Sequence, residues 1–249
     1  MTSPAMTGPA ASSLTTTSGP PLLSDPRVRG IRVVDDGSPM VDVASAGVRV
    51  EPAAPAPPPG LGLEWVAAPA RSHRLVRRTL ADRLGEAQAT LPDGLHLLVV
   101  EGLRPAGAQG AIHAAYRRRI ADEQPWLGAD EIDRLTSRFV APPTNAPHVS
   151  GAAVDITLVD PGGERLDLGT PVDATPEESA GACYFDSQGI SSQARQLRSV
   201  LALALGRAGL VNYPTEWWHW SFGDRYWAHV TGAPFAIHGP VDRDPTPAR

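Results

Sequence analysis

The 249-residue sequence predicts an α+β fold, an antiparallel sheet core with flanking helices in a single domain. Three observations carry that expectation. Several segments repeat apolar residues at the spacing of a helix with one buried face. Short apolar runs rich in branched residues lie between them, as buried strands require. The last two such runs follow one another closely, as hairpin-linked strands do.

Residues 1–22 are mostly Ser, Thr, Pro, Ala and Gly without apolar periodicity, and read as a disordered N-terminal tail. Residues 23–60 form an N-terminal segment that ends in a Pro-rich connector, "EPAAPAPPPG". The main domain is expected over 61–232, with a C-terminal tail at 233–249. Within it, residues 69–91 read as a helix, with Leu75, Leu80, Leu84, Ala87 and Leu91 near helical spacing and Pro69 at its first turn. "LHLLVVEGL" at 95–103 is a strand that runs into Arg104-Pro105. "GAIHAAYRRRIADEQ" is a second helix, and "GADEIDRLTSRFV" is a third with acids in its first turn. "AAVDITLVD" at 152–160 is a strand, with a hairpin return through "RLDL". "SSQARQLRSVLALALGRAGL" is a helix opened by a serine cap and closed by Gly209. "LVNY" and "WWHWSF" are the closing strands.

The net charge of −5 argues against nucleic acid as a partner, and the arginine clusters read as solvated helix faces. No run approaches the ~20 apolar residues of a membrane span. The single cysteine, Cys183, allows no internal disulfide and reads as an inert apolar group. With no secretory leader in sight, a cytoplasmic protein is expected.

Chemistry gathers at two places. In "PHVSGAAVDITLVD", His148 precedes Gly151, where the chain can turn sharply and bring His148 back to Asp155. Asp155 sits among Ala153, Val154, Ile156 and Leu158, so its carboxylate needs a partner or a metal. In "TEWWHW", Glu216 and His219 are three apart; they share a face if a turn intervenes and oppose each other along a strand. "YPT" upstream favours the turn. Two histidines and a carboxylate form a zinc set of three protein ligands with an open fourth position, and Glu216 beside them suits a general base. Arg104, at a buried strand's end, suits an oxyanion partner.

"EGLRP", "PHVSGAAVDITL", "LDLGTPVD", the "GIS" helix and "EWWHW", in that order, resemble the zinc D-alanyl-D-alanine dipeptidases of the VanX type and their carboxypeptidase relatives. The resemblance covers about residues 60–230 and makes that stretch a zinc peptidase domain. It implies one zinc ion per chain on His148, Asp155 and His219, with Glu216 as base and Arg104 stabilising the transition state. It also implies Asp173 as the acid near the substrate's free amino group, and a small peptide as substrate. Hydrolysis of D-Ala-D-Ala then serves cell-wall turnover or glycopeptide resistance. The sequence departs from the family where the substrate is gripped. Ala146 stands at a usual serine, "EGLRP" replaces "DGYRP", residues 31–47 lack aromatics, and "EESAGA" follows Asp173. Two alternatives follow: a zinc carboxypeptidase or amidase acting on a larger peptide or secondary metabolite, and a zinc-containing binding protein without turnover.

Overall fold

A computed structural model describes residues 21–56, 61 and 71–241. The expectations for 1–20, 57–60, 62–70 (which include Pro69) and 242–249 fall outside these residues. In chain order the elements are α1 (Pro26–Arg29), β1 (Met40–Asp42), β2 (Arg49–Val50), β3 (Leu75–Arg77), α2 (Arg78–Thr90), β4 (His96–Glu101) and α3 (Ala106–Glu123). They continue as α4 (Ala129–Thr136), β5 (Ala153–Val159), α5 (Ser192–Arg207), β6 (Val211–Asn212), β7 (His219–Ser221) and α6 (Arg225–Thr231). The main sheet has the order β2-β4-β5-β7-β6. All its pairings are antiparallel except β2 with β4. The α+β expectation is met, with one parallel edge strand added.

The core follows from strand alternation. Leu97 and Val99 of β4 and Val154, Ile156 and Leu158 of β5 point to one face. There they meet Leu80, Leu84 and Ala87 of α2 and Leu201, Ala204 and Leu205 of α5. Asp155 has the opposite parity and faces away from these helices. On that second face lie α3 and α4, which share Ile112, Tyr116, Ile120, Ile132 and Leu135, with Val140 from the chain after α4.

Four local expectations differ from the structure. The helix foreseen from 69 starts at Arg78, because Leu75–Arg77 are extended and pair with β1. Arg77 is drawn inward there, donating to the carbonyls of Ser38, Ser150 and Gly239. The return through "RLDL" is a single bridge, Arg165 to Val159, rather than a strand. Residues 233–241, expected as a tail, dock on the domain: Ala236 and His238 are buried, and Ala236 exchanges backbone bonds with Arg32 and Val34. The segment ahead of residue 61 supplies β1 and β2 and so belongs to the same fold.

Candidate metal centre and active site

The site is a row across the sheet. Glu101 of β4 lies opposite Asp155 of β5, which lies opposite His219 of β7. Residues paired directly across strands project to the same face. A register shift between Val99 and Glu101 re-aims Glu101 onto that face, a bulge's usual effect. His148 joins from outside the sheet, on a one-turn 3-10 helix, Pro147–Ser150. Gly151 ends that turn at φ +63°, in the left-handed region, as its place before β5 requires.

Three ligand atoms converge: His148 Nε2, Asp155 Oδ1 and His219 Nδ1. Nε2 to Nδ1 is 3.1 Å, Nε2 to Oδ1 is 3.3 Å, and Nδ1 to Oδ1 is 3.1 Å. Donors bonded at ~2.0–2.1 Å to one tetrahedral metal lie about 3.3 Å apart, so this triangle fits a metal of zinc's size within a few tenths of an ångström. His148 Nδ1 donates to the Gly102 carbonyl at 2.7 Å, which leaves Nε2 as the lone-pair nitrogen. All three residues are at most 5% exposed.

The electrostatics agree. Burial raises the Asp155 carboxyl, but the two imidazoles outweigh it and hold Asp155 well below the usual carboxylate range. Burial lowers both histidines; Asp155 reverses the effect for His148, while His219 stays low. Two imidazolium ions cannot share one carboxylate at this distance, and the neutral rings are the metal-binding form.

Around the triangle stand the remaining groups. Glu216 lies in the turn before β7, where the His219 amide bonds the Glu216 carbonyl at 3.2 Å, and its Oε2 is 3.7 Å from His219 Nδ1. The turn reading of "TEWWHW" is therefore the one the chain adopts. Burial, reinforced by Asp155 and Asp173, pushes the Glu216 carboxyl well above its usual value. Arg104 donates from Nε to Glu101 Oε1 at 3.0 Å, from Nη2 to Glu101 Oε2, and from Nη1 to Gln109 Oε1 at 2.9 Å. Its Nη2 is 3.9 Å from Asp155 Oδ2. Burial alone would lower the guanidinium's pKa, and Glu101 keeps it raised. Asp173 lines the same cleft at φ +65°, a conformation Asp tolerates better than most residues. Burial, then Asp155 and Glu101, push its carboxyl up to about 7.

All six residues singled out in the sequence thus border one cleft. The tryptophans do not: Trp217, Trp218 and Trp220 lie in the core behind the sheet, and Trp217 Nε1 bonds Thr170 Oγ1. Cys183 is fully buried, and burial pushes its thiol up to about 11. Sequence reasoning missed Glu101 and Gln109, which aim Arg104. It also missed Tyr213, whose hydroxyl donates to the Ser137 carbonyl at 2.6 Å and accepts from the Leu23 amide at 3.2 Å. Arg198 was missed too. It donates from α5 to the carbonyls of Leu168, Ala182, Tyr184 and Phe185, and so pins the excursion that carries Asp173. A buried charge inside a helix's apolar stripe was its one available signal.

Comparison with known proteins identifies the family. A family model for D-Ala-D-Ala dipeptidase, peptidase family M15, matches residues 64–233. A D-alanyl-D-alanine dipeptidase of Synechocystis is 28% identical over 220 residues, covering 80% of this chain and 87% of its own length. The enzyme of the same description from Escherichia coli K12 is 30% identical over 114 residues, 46% of this chain and 55% of its own. A mutant of the vancomycin-resistance D,D-pentapeptidase VanY, crystallised with Zn(II), aligns over 64% of this chain and 80% of its own at 18% identity and TM-score 0.36. Because the family match spans more than half of the sequence, the chain belongs to the D-Ala-D-Ala dipeptidase family of metallopeptidases.

Proposed function

We propose that the chain hydrolyses the peptide bond of D-Ala-D-Ala or a related D-amino-acid dipeptide unit, with one zinc ion held by His148, Asp155 and His219. The observation that carries this reading is the buried triangle of three ligand atoms with Glu216 on one side and Arg104 on another. Bound there, zinc supplies a water of lowered pKa and a Lewis acid for the scissile carbonyl. Glu216 takes the proton of the attacking water and passes it to the leaving amine. Its raised proton affinity suits a group that must accept and then pass on a proton. Arg104 has five N–H groups, of which Glu101 and Gln109 engage three. The remaining two face the developing oxyanion, held in place before the reaction begins. Asp173 receives the substrate's ammonium group.

A set of three rather than four ligand residues among the described residues, with the Glu216 carboxylate beside it, supports turnover over a purely structural zinc. The test is a panel of D- and L-dipeptides assayed with and without a chelator, alongside metal content. Chelator-sensitive cleavage of D-Ala-D-Ala with one zinc per chain is expected. Cleavage that survives complete metal removal would sink the reading. No helix among the described residues is long and apolar enough to cross a membrane.

A further inference from the structure

The groups proposed to react, from Arg104 to His219, all lie within residues 64–233, the stretch that matches the family. The cleft they border is also lined by Leu23, Pro55 and Ala56, which lie outside that stretch. Of these three, Leu23 is fixed at both of its peptide groups. Its amide donates to the Tyr213 hydroxyl at 3.2 Å, and its carbonyl accepts from Asn145 Nδ2 at 2.5 Å. Asn145 is held in turn, because Arg225 Nη1 donates to its Oδ1 at 3.1 Å. Leu23 therefore cannot swing aside without breaking buried hydrogen bonds.

The Leu23 side chain is 3% exposed and packs in one cluster with Ala141, Ala146, Tyr213 and Tyr226. Ala141 and Ala146 line the cleft as well, and each carries only a methyl group. The leucine thus supplies the bulk that two alanines lack. The two rings brace each other edge to face, their centroids 5.1 Å apart. Alanines too short to reach and rings already braced leave nothing that can refill space lost at position 23. A substrate side chain that enters here meets a hydrocarbon surface that does not yield. In an apolar pocket of that kind one methylene changes kcat/KM by about 10–200-fold.

We propose that Leu23 is a specificity-determining residue, which holds the cleft to substrate residues with small side chains. The proposal rests on the peptidase reading above and sets the size limit of that same site. The experiment measures kcat/KM on the zinc-loaded full chain for three free-acid dipeptides: D-Ala-D-Ala, D-Ala-D-Leu and D-Leu-D-Ala. In Leu23→Ala, one of the two bulkier dipeptides should gain about tenfold or more relative to D-Ala-D-Ala. The dipeptide that gains identifies which end of the substrate faces Leu23. Leu23→Met, which keeps the volume, should retain the wild-type ratios. A variant that is merely less stable loses activity on all three substrates together and leaves the ratios as they were. Unchanged ratios in Leu23→Ala would overturn the proposal. If the wild-type chain cleaves none of the three, the peptidase reading fails instead, and the same ratios taken from equilibrium binding decide the role of Leu23.

Discussion

Arg104 is held in its direction by two neighbours. Glu101 grips one edge of the guanidinium, and Gln109, anchored through Nε2 to the Ala141 carbonyl, holds the other. Arg104→Ala is expected to lower kcat by about 100-fold or more, the value of one oxyanion donor, while zinc content stays unchanged. Steady-state kinetics with parallel metal analysis checks it, and an unaltered kcat would remove Arg104 from the chemistry. Glu216→Ala should abolish turnover yet leave the zinc stoichiometry at one, since the carboxylate lies beside the ligand triangle and not in it. Part of the cluster was legible because a charge stands where the surrounding sequence is apolar, whereas Asp173 was reached through the family resemblance alone. Asp155 amid branched residues and His219 amid tryptophans are anomalies that demand a partner. Glu101 and Gln109 gave no such signal. Their importance lies in which atom of which neighbour they touch, and that is set by a strand bulge and a helix start that leave no pattern in the chain.

The elements divide by length. The α5 helix was plain because sixteen residues repeat its period, and the Ser191 hydroxyl caps it by accepting from the Ala194 amide at 3.0 Å. Ser191→Ala should cost about 1 kcal/mol in denaturant unfolding, the ordinary worth of an N-cap. Strands β1, β2 and β3 went unseen because two or three residues cannot display alternation. Helix α6 hid behind aromatic residues, although Asp224 caps it from two backbone amides. Two tight places hold the ligand turn and the arginine strand in register. A Cβ on Gly102 would stand 2.6 Å from the Leu75 carbonyl oxygen, so only glycine lets β4 run past β3 so closely. At Gly151 a side chain would be strained by the left-handed backbone, at about 1–2 kcal/mol. Gly151→Ala should therefore weaken zinc binding through a displaced His148 by more than it weakens the fold. Competition with a chelator, read beside an unfolding curve, separates the two effects.

At the scale of the whole molecule, the proposed metal and the C-terminal segment are two fasteners that meet at the 147–150 turn, where the Val241 amide bonds the Val149 carbonyl and Arg77 donates to both Ser150 and Gly239. The buried triad joins β5 and β7 to the 147–150 turn, and in the proposed enzyme zinc neutralises it. Stripping zinc that was present at 100 times its dissociation constant should remove about 2.7 kcal/mol. For a chain of this size that is a fall in Tm of about 5–10 °C. In the C-terminal segment, His238 is buried with Nε2 2.9 Å from Thr79 Oγ1 and Nδ1 3.4 Å from Asp36 Oδ1. Burial lowers its pKa, Arg77 adds to that, and Asp36 and Asp35 oppose it. The folded chain thus binds this proton more weakly than the unfolded chain does. The stabilisation is complete above the ordinary histidine value of about 6.5 and is lost as pH falls from there toward the lowered folded value. Thermal unfolding from pH 8 to 5 should show a stability loss below about pH 6.5 that His238→Gln diminishes.

The Tyr213 hydroxyl, joined to both Ser137 and Leu23, has a consequence for how such a protein changes over time. The groups proposed to break bonds ride on the central strands and the turns beside them. The other walls of the cleft come largely from elsewhere: the N-terminal turn at Leu23, α3 at Ile112 and the stretch from Phe139 to Ala146. One phenol tethers the first of these at Leu23 and holds the chain just ahead of the third at Ser137. Drift in those segments can redraw what fits without disturbing the reacting atoms, so lineages sharing this sheet can diverge in diet while keeping one reaction.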